Sequence, residues 1–218
     1  MALGHRGGGR RFTSGRLRSL SVEDRDLLAR ATAGEAGALE TLMTRYSARV
    51  YRLAYGITRS AADAEEVVQD VFLQIVNKGG GFEGRAALSS WIYRITTNVS
   101  LNKRRGKHRE LETSLDELLP TYLPDGHRAG ERAFLVADWS GTPESELLSG
   151  ESRRILEAAI DRLPEHYRAV LVLKDVEELS SDEVAEIVGD SVAAVKTRLH
   201  RARMALREQL TRRLGAGA

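Results

Sequence analysis

Four basic residues lie close together near the end of this 218-residue chain, in a segment that also contains regularly spaced apolar residues. The apolar residues recur at steps of three and four, as on one face of a helix that packs against a core; they are Val192, Val195, Leu199, Ala202 and Leu206. The remaining surface carries polar side chains that can bind the phosphates and base edges of DNA. These side chains are Lys196, Thr197, Arg198, His200, Arg201 and Arg203.

The residues just before this segment predict a short helix and a tight turn. Ser180 or Ser181 can cap the short helix, with Glu183 in its first turn. Gly189 can adopt the left-handed conformation that ends a helix, and Ser191 can cap the basic helix that follows. The pattern predicts a helix-turn-helix whose second helix enters the major groove of duplex DNA.

A second candidate nucleic-acid surface lies in "SWIYRITTNVSLNKRRGKHR". Arg94, Asn98 and Asn102 are spaced by four and therefore share one helical face, with Tyr93 and Thr97 alongside. Amides can pair with exposed base edges, and aromatic rings can stack on unpaired bases. The basic run that follows can bind phosphates; it includes Lys103, Arg104 and Arg105. Two simpler interpretations stay open: Trp91 as a core residue, and Asn98 as an ordinary surface amide.

Acidic residues without any base occupy the stretch from residue 63 to residue 70. Asp63, Glu66 and Asp70 follow at steps of three and four along one helical face, while Val67 and Val71 lie on a flank that can be buried. A solvated surface is the default interpretation of such a face. In a domain that otherwise binds nucleic acid, it also suits a basic protein partner.

Composition excludes several classes of protein. The chain has 42% hydrophobic and 29% charged residues and a formal net charge of +2, so it is no general polycation. It has no cysteine, which excludes disulfides, thiolate zinc sites and cysteine catalysis. It also has no apolar run long enough for a membrane span and no signal-peptide pattern. We expect a cytoplasmic protein with a disordered basic tail over residues 1–21.

Helical periodicity dominates the chain, and strand-like alternation is nearly absent. The pattern predicts an all-α protein in two helical blocks, residues 22–108 and residues 151–214. Between them, residues 109–150 mix proline, glycine and isolated aromatic residues without a sustained period, and they predict a flexible linker.

Three segments together resemble bacterial extracytoplasmic-function (ECF) sigma factors: "DAEEVVQDVF", "FEGRAALSSWIYRITTN" and "LPEHYRAVLVLKDVEELSSDEVAEIVGDSVAAVKTRLHRAR". The resemblance covers about residues 22–108 and 146–212, in the family's order. It implies a σ2 helical bundle and a σ4 helix-turn-helix domain, with no catalytic activity and no cofactor or metal. It further implies promoter DNA, both duplex and single-stranded, as a ligand. The implied protein partners are core RNA polymerase, through its β′ clamp helices and its β subunit, and an anti-sigma factor.

The resemblance also assigns roles to individual residues. The acidic face implied to dock on the β′ clamp helices comprises Asp63, Glu66, Gln69 and Asp70. The residues implied to capture and melt the promoter −10 element are Trp91, Tyr93, Arg94, Asn98 and Asn102, followed by Lys103, Arg104 and Arg105. For the −35 element, the implied base-reading residues are Lys196, Thr197, His200 and Arg201, and Ser191, Arg198 and Arg203 lie beside them.

Two rival functions are weaker. A helix-turn-helix regulator that acts without polymerase would explain the second block, but it would leave the Asn98 face and the acidic helix without a role. An enzyme is disfavoured because the glycine runs at 7–9 and 79–81 lack the Lys-Ser/Thr of a phosphate loop. The five histidines also show no metal-ligand spacing.

Overall fold

The computed structural model describes residues 22–82, 87–107, 115–119 and 150–215. Within these ranges every regular element is helical, which confirms the predicted all-α fold. No helix in the same ranges combines the length and the apolar character needed to cross a membrane. The predicted tail of residues 1–21 and most of the predicted linker lie outside the described residues.

The first block, residues 22–107, is a bundle of helices joined by short turns. Between its second and third helices, Arg59 takes a left-handed backbone with φ 58°, and the Ser60 hydroxyl accepts a hydrogen bond from the Asp63 backbone N–H. Such a short turn makes consecutive helices antiparallel neighbours. The helices are α1 (Val22–Thr32), α2 (Ala36–Thr58), α3 (Ala61–Lys78) and α4 (Leu88–Lys107). A 3₁₀ turn, Gly79–Gly81, follows α3 where the sequence predicted a break.

The second block, residues 150–215, carries the predicted helix-turn-helix at its end. Its helices are α6 (Gly150–Asp161), α7 (Glu165–Leu171), α8 (Ser181–Val188) and α9 (Val192–Gly215), and a π-helical turn (Val172–Val176) follows α7. A short helix, α5 (Leu115–Leu118), lies inside the segment for which the sequence predicted no regular element. It forms because Leu115 and Leu118, three residues apart, are both buried, and α5 packs against α9.

Two hydrophobic clusters form the interior. One belongs to the first block alone and contains Leu42, Val50, Val67, Ile75 and Ile92, each fully buried. The other combines residues of both blocks, because Leu53, Ile57 and Tyr93 pack among side chains of α7, α8 and α9. The sequence predicted two helical blocks, but not that they share a core.

A glycine permits this contact between the blocks. A Cβ atom added to Gly56 of α2 would lie 2.8 Å from Cγ1 and 3.2 Å from Cγ2 of Val172. Val172 is buried, and its β-branched side chain has little rotational freedom. Any larger residue at position 56 would therefore push the second block away from α2.

Candidate nucleic-acid and polymerase interfaces

The turn before α9 is built from local hydrogen bonds that the sequence predicted. The Ser180 hydroxyl accepts from the Glu183 backbone N–H at 3.2 Å, and the Glu183 carboxylate accepts from the Ser180 backbone N–H at 2.7 Å, which forms a capping box. Gly189 ends α8 with φ 73°. The Ser191 hydroxyl accepts from the Ala194 backbone N–H at 3.1 Å as α9 begins. These contacts confirm the helix-turn-helix.

The apolar face of α9 holds the helix on the block. Val195, Leu199, Ala202 and Leu206 are buried, and Val192 is partly buried. On the other side, Lys196, Thr197 and His200 are exposed, and Arg201 is half-buried. The Thr197 hydroxyl donates to the Ala193 carbonyl at 3.0 Å, but its exposed side chain can still reach a ligand. This surface presents hydrogen-bonding groups along one side of a basic helix.

Two arginines beside this surface are paired with acids of the same block. Arg203 donates from Nε and Nη2 to the Asp175 carboxylate at 3.1 and 2.6 Å, and this hydrogen-bonded pair raises the pKa of Arg203. Arg198 donates from Nη1 to Asp190 at 2.5 Å. Both guanidinium groups are thereby oriented, and each has nitrogens left over for phosphate oxygens.

In α4, the predicted polar face is exposed. Arg94, Asn98 and Asn102 all lie at the surface, as their spacing predicted. Trp91 is partly buried, and its ring lies 5.1 Å from the ring of Phe82, centre to centre. Its packing against the first-block cluster supports the core interpretation of this residue.

The sequence placed Tyr93 and Thr97 beside this exposed face. The structure shows instead that both side chains are buried, so that expectation was wrong. Thr97 is fully buried and Tyr93 is 5% exposed. The reason is that α4 packs against α7 and α8 of the second block as well as against α2 and α3 of its own, so more of its surface is buried than its spacing predicted. The Tyr93 hydroxyl donates to Glu177 of the second block at 2.9 Å.

The exposed face of α4 looks onto the helix-turn-helix across a cleft of about 250 Å³. Asn98 and Asn102 line one side of this cleft, and His166, Asp190 and Arg198 line the other. In this arrangement, the two candidate DNA-binding surfaces share one cleft between the blocks.

The acidic face of α3 is smaller than the sequence predicted. Glu66 and Gln69 are exposed and Asp70 is partly exposed, but Asp63 is only 7% exposed. Asp63 lies in the first turn of α3, directly after the capped end, where a carboxylate is favoured by the helix dipole. Its inclusion in an exposed acidic row was therefore wrong.

The remaining acids of this face contact a cation from the other candidate site. Lys103 pairs through Nζ with Glu66, and its distance to Asp70 Oδ2 is 3.8 Å. The Glu66 hydrogen bond is the main reason that the pKa of Lys103 is raised. The backbone of Arg104 and Arg105 continues α4, but their side chains lie outside the described residues.

Sequence reasoning missed the polar residues that join the blocks. Arg52 and Glu177 are 125 residues apart, and Arg59 and Asp161 are 102 residues apart. No short motif marks either pair, because each pairing depends on how whole helices pack. Within the described residues, no group of three or more His, Cys, Asp or Glu side chains is arranged to hold a metal ion.

Comparison with protein families matches both blocks. The family description "Sigma-70 region 2" matches residues 42–110, and "Sigma-70, region 4" matches residues 153–206. The two matches cover the α2–α4 bundle and the helix-turn-helix block, in that order along the chain.

Proteins with similar sequences are ECF sigma factors, and the similarity extends over nearly their whole length. The ECF RNA polymerase sigma factor SigW of Bacillus subtilis is 33% identical over 81% of this chain and 91% of its own. The ECF RNA polymerase sigma-E factor of Escherichia coli K12 is 30% identical over 86% of this chain and 94% of its own. The solved structure of CnrH in complex with the cytosolic domain of CnrY is similar with a TM-score of 0.55 and 26% identity, over 89% of this chain and 99% of that one. This chain belongs to the ECF family of RNA polymerase sigma factors.

Proposed function

We propose that this sigma factor divides promoter recognition between its two blocks. The first block, over residues 22–108, docks on core RNA polymerase and captures the −10 element, and the second block, over residues 151–214, reads the −35 element. Residues 109–150 link them, after a basic tail at residues 1–21. The observation that carries this proposal is the presence of two polar helix surfaces, one on α4 and one on α9, each on a helix whose opposite face is apolar and buried.

Specific residues of α9 account for duplex recognition. Exposed Lys196, Thr197 and His200, with Arg201 beside them, face the base edges of the −35 element. Ser191 at the start of α9 and the oriented guanidinium groups of Arg198 and Arg203 contact backbone phosphates.

The face of α4 accounts for recognition of unpaired bases. Asn98 and Asn102 hydrogen-bond to base edges of the −10 element, and Arg94 lies on the same exposed face. Trp91 and Tyr93 contribute stacking, and Tyr93 becomes available for it only when the blocks separate. The phosphates of the melted strand are bound by Lys103, Arg104 and Arg105.

The partners follow from this division of roles. Glu66, Gln69 and Asp70, together with Asp63 in the first turn of the same helix, dock on the β′ clamp helices of the polymerase, and the second block contacts the β subunit. Because polymerase and chromosomal promoters are cytoplasmic in bacteria, the protein acts in the cytoplasm. An anti-sigma factor is its expected regulator; the similar CnrH was solved in complex with a second protein, the cytosolic domain of CnrY.

Charge reversal on α3 tests the polymerase contact. We expect Glu66→Lys with Asp70→Lys to abolish co-elution with core polymerase, because attraction to a basic partner becomes repulsion. Folding should change by no more than about 1 kcal/mol, since the pairs with Lys103 are on the surface. Size-exclusion chromatography with core enzyme and circular dichroism measure the two effects.

A matched control separates a specific docking face from net charge. Glu40→Lys with Glu65→Lys makes the same change in charge at two exposed positions of the same block, on α2 and on another face of α3. The control should co-elute with core polymerase and support runoff transcription. If both double variants assemble equally well with core enzyme, the Glu66 face does not dock on polymerase.

A further inference from the structure

One carboxylate of the second block is enclosed by the first. The Glu177 side chain is only 3% exposed. It accepts hydrogen bonds from Arg52 Nε at 2.6 Å, from Arg52 Nη2 at 2.9 Å and from the Tyr93 hydroxyl at 2.9 Å. A carboxylate so withdrawn from water is stable only while such partners are present.

Further contacts hold the same two surfaces together along α2. The Arg59 guanidinium pairs with Asp161 at the end of α6. Between the two ion pairs, Leu53 and Ile57 are buried in the cluster shared with the second block. Because Gly56 has no side chain, Val172 of the second block can pack directly against the backbone of α2 at this position. Polar and apolar contacts therefore act over one continuous surface.

This contact limits access to the α4 face. Asn98 and Asn102 face the helix-turn-helix across about 250 Å³ of open space, which is less than the roughly 300–1,000 Å³ of pockets that hold one small ligand. A DNA strand that paired with both asparagines would have to enter between the two walls of this cleft. Arg198, on the other wall, is subject to the same restriction.

We propose that Arg52, Tyr93 and Glu177 form an intramolecular latch that holds the second block over the α4 face of the free protein. The proposal rests on the function proposed above, in which α4 captures the −10 element. DNA capture then requires the blocks to separate, and core polymerase favours the separated state by binding each block at its own site. The apparent affinity for polymerase is lowered by the small fraction of molecules that are open.

The latch predicts which substitutions open the molecule. Arg52→Ala leaves the Glu177 carboxylate enclosed without its cation, and separation of the blocks returns that carboxylate to water. Arg45→Ala is the matched control, because Arg45 also belongs to α2 and also pairs with an acid, but this acid is Asp24 of the same block. Only Arg52→Ala should increase the separation of the blocks.

The separation can be measured by fluorescence energy transfer in the full-length protein. The chain contains no cysteine, so Glu40→Cys on α2 and Glu186→Cys on α8, both exposed, place two dyes without competing thiols. We expect lower transfer efficiency for Arg52→Ala than for Arg45→Ala, at equal helical content by circular dichroism. Equal transfer efficiency in the two variants would overturn the latch.

If Arg52→Ala loses helical content, a second pair of variants with smaller changes tests the latch. Tyr93→Phe removes one hydroxyl of the latch, and Tyr51→Phe removes one from the exposed side of α2. We expect transfer efficiency to fall for Tyr93→Phe but not for Tyr51→Phe. Equal transfer efficiency in these two variants would also overturn the proposal. This measurement uses neither polymerase nor promoter, so a failed latch is distinguishable from failure of the wild-type protein to bind core enzyme.

Discussion

Tyr93 shows how the environment of one side chain can differ from that of its neighbour. Arg94 is exposed, whereas Tyr93 is enclosed between the two blocks with its hydroxyl on Glu177. Burial, followed by the negative charge and hydrogen bond of Glu177, raises the pKa of Tyr93. The phenol therefore keeps its proton in the folded protein at pH values where an unfolded chain loses it.

This difference predicts a loss of stability in alkali. Above about pH 10 the unfolded chain binds fewer protons at this phenol than the folded one, so the free energy of unfolding falls as pH rises. Tyr93→Phe should show a shallower fall than wild type, and Tyr51→Phe is the control at an exposed position. Urea unfolding between about pH 8 and about pH 11 measures the slopes. Equal slopes for both variants would contradict this account of Tyr93.

At the scale of elements, the helix-turn-helix is stabilised by contacts within a few residues of chain. The Ser180–Glu183 capping box begins α8, and Gly189 with φ 73° ends it. The buried face of α9 then fixes the direction in which Lys196 and His200 point. The recognition helix α9 therefore follows a helix, α8, whose start and end are both fixed by local contacts.

Loss of the cap should loosen α8. Ser180→Ala removes the hydroxyl that accepts from the Glu183 N–H, which costs about 1 kcal/mol, or about a fivefold change in the local opening equilibrium. Amide hydrogen exchange in the first turn of α8 should rise accordingly. Ser181→Ala, one residue later and outside the capping box, is the control. The assignment of Ser180 as the cap fails if both variants exchange at the same rate.

At the scale of the whole molecule, the two blocks are joined by one shared cluster and by ion pairs at its edge. Leu53 and Ile57 of α2 belong to that cluster, and Gly56 between them allows the close approach of Val172. The packing of the blocks is therefore sensitive to the volume of one residue.

Two glycines of α2 should respond oppositely to the same substitution. Gly56→Ala forces a Cβ against Val172 and should lower the free energy of unfolding by about 1–3 kcal/mol. Gly37→Ala meets nothing within 4 Å and should raise it by up to about 1 kcal/mol through helix propensity. Urea unfolding of both variants measures the difference. Val172→Ala should restore part of the loss in the Gly56→Ala background, and stabilisation by Gly56→Ala would refute the close contact.

The sequence by itself determined the elements and most of their exposed faces. Helical periodicity located α2, α3, α4 and α9, and the serine caps with Gly189 located the turn, because these signals act over four residues or fewer. The Arg94, Asn98 and Asn102 face was predicted correctly for the same reason. Spacing alone could not show that Asp63 is buried. Residue spacing indicates where a side chain lies around the helix axis, but it does not indicate which neighbouring elements cover that position.

Only the tertiary structure decided how the two blocks meet. The bonds from Arg52 and Tyr93 to Glu177 span 125 and 84 residues of chain, and no local pattern distinguishes these residues from other surface arginines, tyrosines and acids. The enclosure of Tyr93 and the position of Asn98 and Asn102 at a cleft between the blocks follow from the same contact. Contacts of this kind arise when whole helices are positioned against each other, so their energies depend on residues that are neighbours only in the folded molecule.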